Sequence, residues 1–314
     1  MAEMIKKATR ESFGEALCKL AETNNDIVVL DADLAAATKT GVFKKAYPDR
    51  FFDCGIAECN MVGIAAGLAT CGKIPFAASF AMFSAGRAFE QVRNSVCYPK
   101  LNVKIVGSHA GISVGEDGAT HQCCEDIALM RAIPNMVVIN PCDHYEMIEA
   151  VKAMAEHQGP CYVRLGRLAV ETINHNDDYK FELGKGIELK DGKDVTIVAT
   201  GLMVQEAMKA AAALKEEGID ARVLNIHTIK PLDNEIIIKA AKETGKLVVV
   251  EEHSVIGGLG EAVTSLLAEN YPVPVKKIGV NDTFGYSGPA VELLKKFGLS
   301  AENIQKTTKE FLGK

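Results

Sequence analysis

The sequence has no Cys-X-X-Cys pair, no metal-ligand spacing among its cysteines, no apolar signal segment at its start and no apolar stretch long enough to cross a bilayer. Its nine cysteines, at positions 18, 54, 59, 71, 97, 123, 124, 142 and 161, fall mostly in apolar segments and are expected to be reduced core thiols. There is no excess of positive charge. With 35 basic against 41 acidic residues and a net charge of -6, the chain lacks a general footprint for nucleic acid or an anionic membrane. Any anionic ligand must then be held by a few local basic groups. No low-complexity tract or short internal repeat occurs. These absences lead to the expectation of a cytoplasmic globular protein. Its 314 residues, 48% of them hydrophobic, are enough to bury a large core in two domains.

What is present is an alternation of short apolar strands and helical patterns. Strands are expected at Ile27–Leu30, Phe51–Cys54, Ile74–Ser79, Val103–Gly107, Met136–Asn140 and Cys161–Leu165, with helices near Arg10–Thr23, Glu58–Cys71, Ala85–Cys97 and Tyr145–His157. Such alternation predicts mostly parallel sheets covered by helices on both faces. Polar residues from Glu171 to Lys193, including Lys190-Asp191-Gly192-Lys193, read as a linker with a hairpin-like turn. A second alternating unit runs through Val195–Ala199, Val204–Glu217, Ala221–Ile226, Asn234–Thr244, Lys246–Glu251, Leu259–Asn270 and Val275–Val280. The expected organisation is two tandem α/β domains, residues 1–172 and 193–314, joined by a linker at 173–192.

Three clusters in the first domain are candidates for chemistry. Glu58 sits in the small, apolar run Cys54-Gly55-Ile56-Ala57-Glu58-Cys59-Asn60-Met61-Val62-Gly63, where an ionisable group needs a dedicated partner or a raised pKa. It equally suits the first turn of a helix, whose dipole and free N–H groups favour negative charge. Phe80 and Phe83 follow a strand end at i and i+3, a spacing that serves a core as well as a ligand pocket. Gly107 to Gln122 forms a long glycine-bearing loop with His109, Glu116, Asp117 and His121, and long loops after strands tend to be functional.

Taken together, Gly55-Ile56-Ala57-Glu58, Phe80-Ala81-Met82-Phe83 and Gly115-Glu116-Asp117-Gly118-Ala119-Thr120-His121-Gln122 resemble the pyrimidine-binding domain of transketolases. The resemblance continues through Gly159 to Arg167. It then extends into the second domain at His227-Thr228-Ile229-Lys230-Pro231-Leu232-Asp233 and Glu251-Glu252-His253, so nearly the whole chain is covered. It implies thiamine diphosphate as cofactor, with Glu58 hydrogen-bonding the aminopyrimidine so that the cofactor acts as its own base, and Phe80 and Phe83 packing against that ring. It also implies that His109 and His121 line the substrate channel and exchange protons with substrate hydroxyls. Asp117 would meet the acceptor hydroxyl, and Arg167 and Arg10 would grip a sugar phosphate. The implied reaction is transfer of a two-carbon ketol unit from a ketose phosphate to an aldose phosphate. One departure stands out: Ala37 occupies the place of a serine near the substrate phosphate, which makes Thr38 the candidate replacement.

The family holds the diphosphate through magnesium with Gly-Asp-Gly and a downstream Asn, and this sequence has no Gly-Asp-Gly. The resemblance therefore implies the C-terminal subunit of a split transketolase. No metal ligands are expected on this chain; Mg2+ and the diphosphate end are expected on a separate N-terminal subunit, in a heterotetramer of two copies of each. The weighed alternatives are the beta subunit of a 2-oxoacid dehydrogenase, a deoxyxylulose phosphate synthase-like enzyme, and a non-catalytic regulatory or binding subunit. The loop Gly115–Gln122 favours transketolase over the first, and the retained Glu58, Phe80, His109 and His121 argue against the last. His144, His157 and His175 are expected to be solvated, Cys123 and Cys124 to be structural thiols, and His253 to face a subunit interface.

Overall fold

The run Ile27-Val28-Val29-Leu30-Asp31 is buried along its whole length, as a central parallel strand must be when helices cover both faces. In the computed structural model, which describes residues 6–174 and 179–314, this strand lies in a seven-stranded sheet. The spatial order is Thr228–Lys230, Val137–Ile139, Cys161–Arg164, Lys104–Ser108, Ile74–Phe80, Ile27–Asp31 and Phe51–Asp53. All neighbours pair in parallel except the first, which is antiparallel. The second sheet has the order Val275–Val280, Leu247–Ser254, Val195–Ala199, Ala221–Asn225, Ile187–Lys190, again parallel but for its last pair. Parallel sheets dressed by helices, in two successive units, are the expected fold class.

Helix ends follow local chemistry. Asp143, Asp233 and Ser300 cap His144–Glu156, Asn234–Thr244 and Ala301–Leu312, each side chain accepting from the backbone N–H three residues on. Gly245, in the left-handed region, ends the second of these.

The structure departs from expectation in four places. Ile187–Lys190, inside the stretch read as linker, is the edge strand of the second sheet, and Ala221–Asn225 separates it from Val195–Ala199. The turn at 191–193 is therefore not a hairpin. Thr228–Lys230, from the second unit, completes the edge of the first sheet: Asn140 N–H donates to the His227 carbonyl (2.8 Å), and Lys230 Nζ donates to the Arg131 and Ile133 carbonyls (2.9 and 2.6 Å). Ala85–Cys97 is not one α-helix but two π-helical turns, Met82–Arg87 and Val92–Cys97, flanking Phe89–Gln91. Lys6–Ala8 precedes the first helix as a strand paired with Ala169–Glu171. One core cluster runs from Leu30, Ile105 and Tyr162 into Val198, Leu224 and Leu259, so the two units share buried surface.

Polar contacts lock that junction. Arg164 is only 4% exposed and donates to Asp126 Oδ2 (2.9 Å) and to the Glu252 carbonyl (2.7 Å), while Tyr162 O–H donates to the same Asp126 oxygen (2.8 Å). A buried cation with partners in both units is strongly destabilising to remove, because its anions are left uncompensated. Arg164→Ala should cost about 3–5 kcal/mol, seen as a large drop in the urea unfolding midpoint. A shift equivalent to less than about 1 kcal/mol would contradict this role.

Candidate active site

In open α/β sheets ligands bind beyond the carboxyl ends of the strands, where helix N-termini and loop backbones converge. That edge holds the candidate residues here. Glu58 follows Phe51–Asp53, Phe80 ends Ile74–Phe80 and leads to Phe83, His109 follows Lys104–Ser108, and Arg167 follows Cys161–Arg164. Arg10 comes from the first turn of the helix Thr9–Ala21.

Six candidates, Glu58, Phe83, Phe80, His121, His109 and Arg10, form an unbroken line of contact once Arg87 is added as the link between the first two. Glu58, 2% exposed at the first position of Glu58–Thr70, accepts through Oε2 from Arg87 Nη1 at 2.8 Å. The Arg87 guanidinium lies 4.6 Å from the Phe83 ring centre, a cation–π contact. Phe83 stacks with Phe80 at 6.0 Å, and Phe80 stacks on the His109 imidazole at 4.0 Å. His121 meets both phenyl rings edge-on, at 5.4 Å from Phe83 and 6.0 Å from Phe80. His109 Nε2 lies 3.0 Å from Arg10 Nη1, which also donates to the Ala37 carbonyl at 3.0 Å. Arg87 is therefore the dedicated partner that a buried acid in an apolar run requires. The π-helical turn, which widens the spacing along Met82–Arg87, carries both Phe83 and Arg87.

The protonation of His109 follows from geometry. A guanidinium can only donate, so Nε2 accepts from Arg10, and the ring proton sits on Nδ1, which donates to Ser108 Oγ at 2.9 Å. Burial, then the charges of Arg10, Arg167 and Lys39, press the imidazole down to a pKa of about 3. His121 is more open: its Nδ1 is 2.9 Å from Thr120 Oγ1, and its Nε2 has no hydrogen bond among the described residues.

Arg167 donates to the Val114 carbonyl and pairs with Glu116 at 2.9 Å; a hydrogen bond from the acid's own backbone N–H first, and Arg167 second, hold the carboxyl of that exposed acid below its usual range. Asp117 is exposed on the same turn. Arg10, Arg167 and Lys39 thus bring positive charge to one end of the ring cluster, with Glu58 at the other.

Several expectations need correction. Thr38 does not offer its hydroxyl to a ligand; it is fully buried and donates to Asp31 Oδ2 at 2.7 Å, beside Thr40. His253 faces no outer surface. It is buried between the units, with Nδ1 donating to the Ser254 carbonyl (2.7 Å) and Nε2 accepting from Ala128 N–H (3.3 Å). His144, half-buried, has Nδ1 2.9 Å from Ser12 Oγ, and His157 is also half-buried, so neither is simply solvated. His175 lies outside the described residues. Cys123 and Cys124 are buried, and burial pushes both thiols up. The sequence reading missed Arg87, Ser108 and Lys39; an arginine six residues before another, in Arg87-Ala88-Phe89-Glu90-Gln91-Val92-Arg93, carried no local signal of a ligand role. No helix among the described residues is long and apolar enough to cross a membrane.

Comparison with known proteins bears on the family and the fold. Residues 5–172 match the transketolase pyrimidine-binding domain and residues 184–304 the transketolase C-terminal domain. The chain is 54% identical, over 99% of its length and 98% of the relative's, to a transketolase C-terminal section from Methanocaldococcus jannaschii. It is 46% identical, over 96% of its length and 93% of the relative's, to a 6-deoxy-6-sulfo-D-fructose transketolase subunit of a Clostridium species. A solved split-gene transketolase, an inactive beta4 tetramer, superposes with a TM-score of 0.91 at 54% identity, covering 98% of this chain and 99% of that one.

The unfolded chain binds the His109 proton near pH 6.5 and the folded chain only near pH 3, so the folded state loses stability as pH falls through that window. Nitrogen NMR should find His109 neutral, with its proton on Nδ1, at pH 5. A protonation midpoint near 6.5 would refute the assignment.

Proposed function

The chain belongs to the transketolase family, and from that premise we propose that it is the C-terminal subunit of a thiamine diphosphate-dependent ketol transferase, active only with a separate N-terminal chain. The observation that carries this reading is the unbroken line from Glu58 through the phenyl pair to His109 and Arg10, acid at one end and cations at the other. A buried carboxylate beside two stacked phenyl rings fits an aminopyrimidine, which needs an acid at a ring nitrogen and flat apolar faces. When bound, thiamine diphosphate supplies the electron sink for cleaving and forming the carbon–carbon bond.

The chain's own residues then have distinct tasks. Glu58 holds the pyrimidine nitrogen, and Phe80 and Phe83 orient the ring. His121, with Nε2 unengaged, exchanges a proton with a substrate hydroxyl. His109, neutral and clamped by Ser108 and Arg10, accepts rather than donates at Nε2. Asp117 meets the acceptor hydroxyl. Arg10 and Arg167, with Lys39 nearby, hold the anionic end of the sugar, where a guanidinium fork suits a phosphate or a sulfonate alike.

The diphosphate and its Mg2+ belong to a partner chain carrying Gly-Asp-Gly with a downstream Asn, in an assembly of two copies of each. The surface next to Glu58 supports such a partner. Ile56 is 77% exposed, and Gly63, Ile64 and Gly67 leave an uncharged, exposed face on Glu58–Thr70.

With the partner chain, thiamine diphosphate and Mg2+, the subunit should convert xylulose 5-phosphate plus ribose 5-phosphate, with 6-deoxy-6-sulfofructose as the second donor tested. Turnover of pyruvate or another 2-oxoacid in place of ketol transfer would overturn the reading. Glu58→Ala should abolish turnover with fold and assembly retained; activity above a few per cent would contradict its role. Arg167→Ala should raise the Michaelis constant for phosphorylated sugars chiefly, because the contact exists in ground and transition states alike. A fall in turnover number alone would remove Arg167 from the phosphate site.

A further inference from the structure

We propose that the second domain is the positioning element for the substrate loop, with Glu252 as its principal contact. The loop from His109 to Gln122 carries His109, Asp117 and His121, yet three of the bonds that shape it come from residues of the other domain. Glu252 Oε1 accepts from Ser113 N–H at 2.6 Å, Gln122 Nε2 donates to the Tyr286 carbonyl at 3.1 Å, and Ser287 Oγ donates to the Glu116 carbonyl at 2.6 Å.

The Glu252 contact is built for close approach. Gly111 has a φ of 81°, and a Cβ added there would stand 2.4 Å from the Glu252 carboxyl carbon, so no side chain fits between loop and acid. Glu252 is itself fixed: it is buried in Leu247–Ser254, and Arg164 donates to its carbonyl at 2.7 Å. A charged acceptor held this rigidly outweighs the ordering entropy of a loop that would otherwise sample many shapes. Gln122 extends the brace inward, its Nε2 also reaching the Ile112 and Gly115 carbonyls at 3.3 and 3.4 Å. The cofactor-facing residues Glu58, Phe80 and Phe83 lie outside the loop. Loss of the brace therefore affects the sugar side of the site and spares the cofactor side.

The kinetic half of this inference rests on the ketol-transfer reading; the structural half does not. Hydrogen exchange on the full chain should show the amides of 111–118 exchanging about tenfold faster in Glu252→Ala and about threefold faster in Ser287→Ala. Those of Ile74–Phe80 should be unchanged. Glu252→Gln, which keeps an acceptor for Ser113, should restore protection. In the assembled enzyme the Michaelis constant for the aldose acceptor should rise about threefold to tenfold while that for thiamine diphosphate stays constant.

Unchanged loop exchange in these variants would overturn the proposal. Equal increases in both Michaelis constants, the mark of a merely structural role, would do so too. Should Glu252→Ala fail to fold, Ser287→Ala at the surface and Gly285→Ala, whose new Cβ would fall 2.0 Å from Gln122 Oε1, carry the same comparison. Absence of ketol transfer in the unmodified assembly would refute the functional reading alone, and the exchange data would still decide the brace.

Discussion

The arrangement depends on one buried cation. Arg164 leaves the end of a central strand and has no water to solvate it, so its donors must find anions and carbonyls inside the protein. It finds Asp126 in its own domain and the Glu252 carbonyl in the other, with the Cys123 carbonyl at 3.4 Å. Cys123 and Asp126 lie just past the substrate loop, so the same interaction that joins the domains fixes where that loop ends. Separating the domains would expose apolar surface and strand three charged groups together, which makes the junction rigid rather than hinged.

The site built on this junction is polarised. At one end cationic groups crowd around a histidine kept neutral, and at the other a buried acid has a single arginine partner that reaches toward solvent. Between them the aromatic rings provide surface without charge, an environment in which ionic contacts with a ligand strengthen as water leaves. Arg10 serves twice, steering the His109 tautomer and anchoring to the backbone at Ala37, where the family's serine is missing. Position 37 still contributes through its carbonyl, which any residue except for backbone strain can offer.

The uncharged face beside Glu58 has a related logic. A helix that is apolar nearly all round is ordinarily buried, and Glu58–Thr70 covers only one side within this chain. Glycines at 63 and 67 leave its other side flat enough for close approach of a second backbone. The proposed cofactor-binding acid and the proposed partner surface are consecutive turns of one helix, Glu58–Thr70.

By itself the sequence determined the alternating fold and most of the candidate site, because both rest on local rules. A strand buried on two faces must be apolar, an N-cap aspartate announces its helix, as Asp233 does for Asn234–Thr244, and an acid in a glycine and alanine run demands explanation. Only the tertiary structure decided what depends on partners remote in the chain. Thr228–Lys230 and Ile187–Lys190 are too short to read as strands until another strand's open edge pairs with them. Thr38 turns inward because Asp31 needs donors, Arg87 finds Glu58 across a π-helical turn, and Glu252 reaches Ser113 from 139 residues away. Burial and hydrogen bonding of charged groups are properties of the packed chain, and no local pattern of residues encodes which partner will satisfy them.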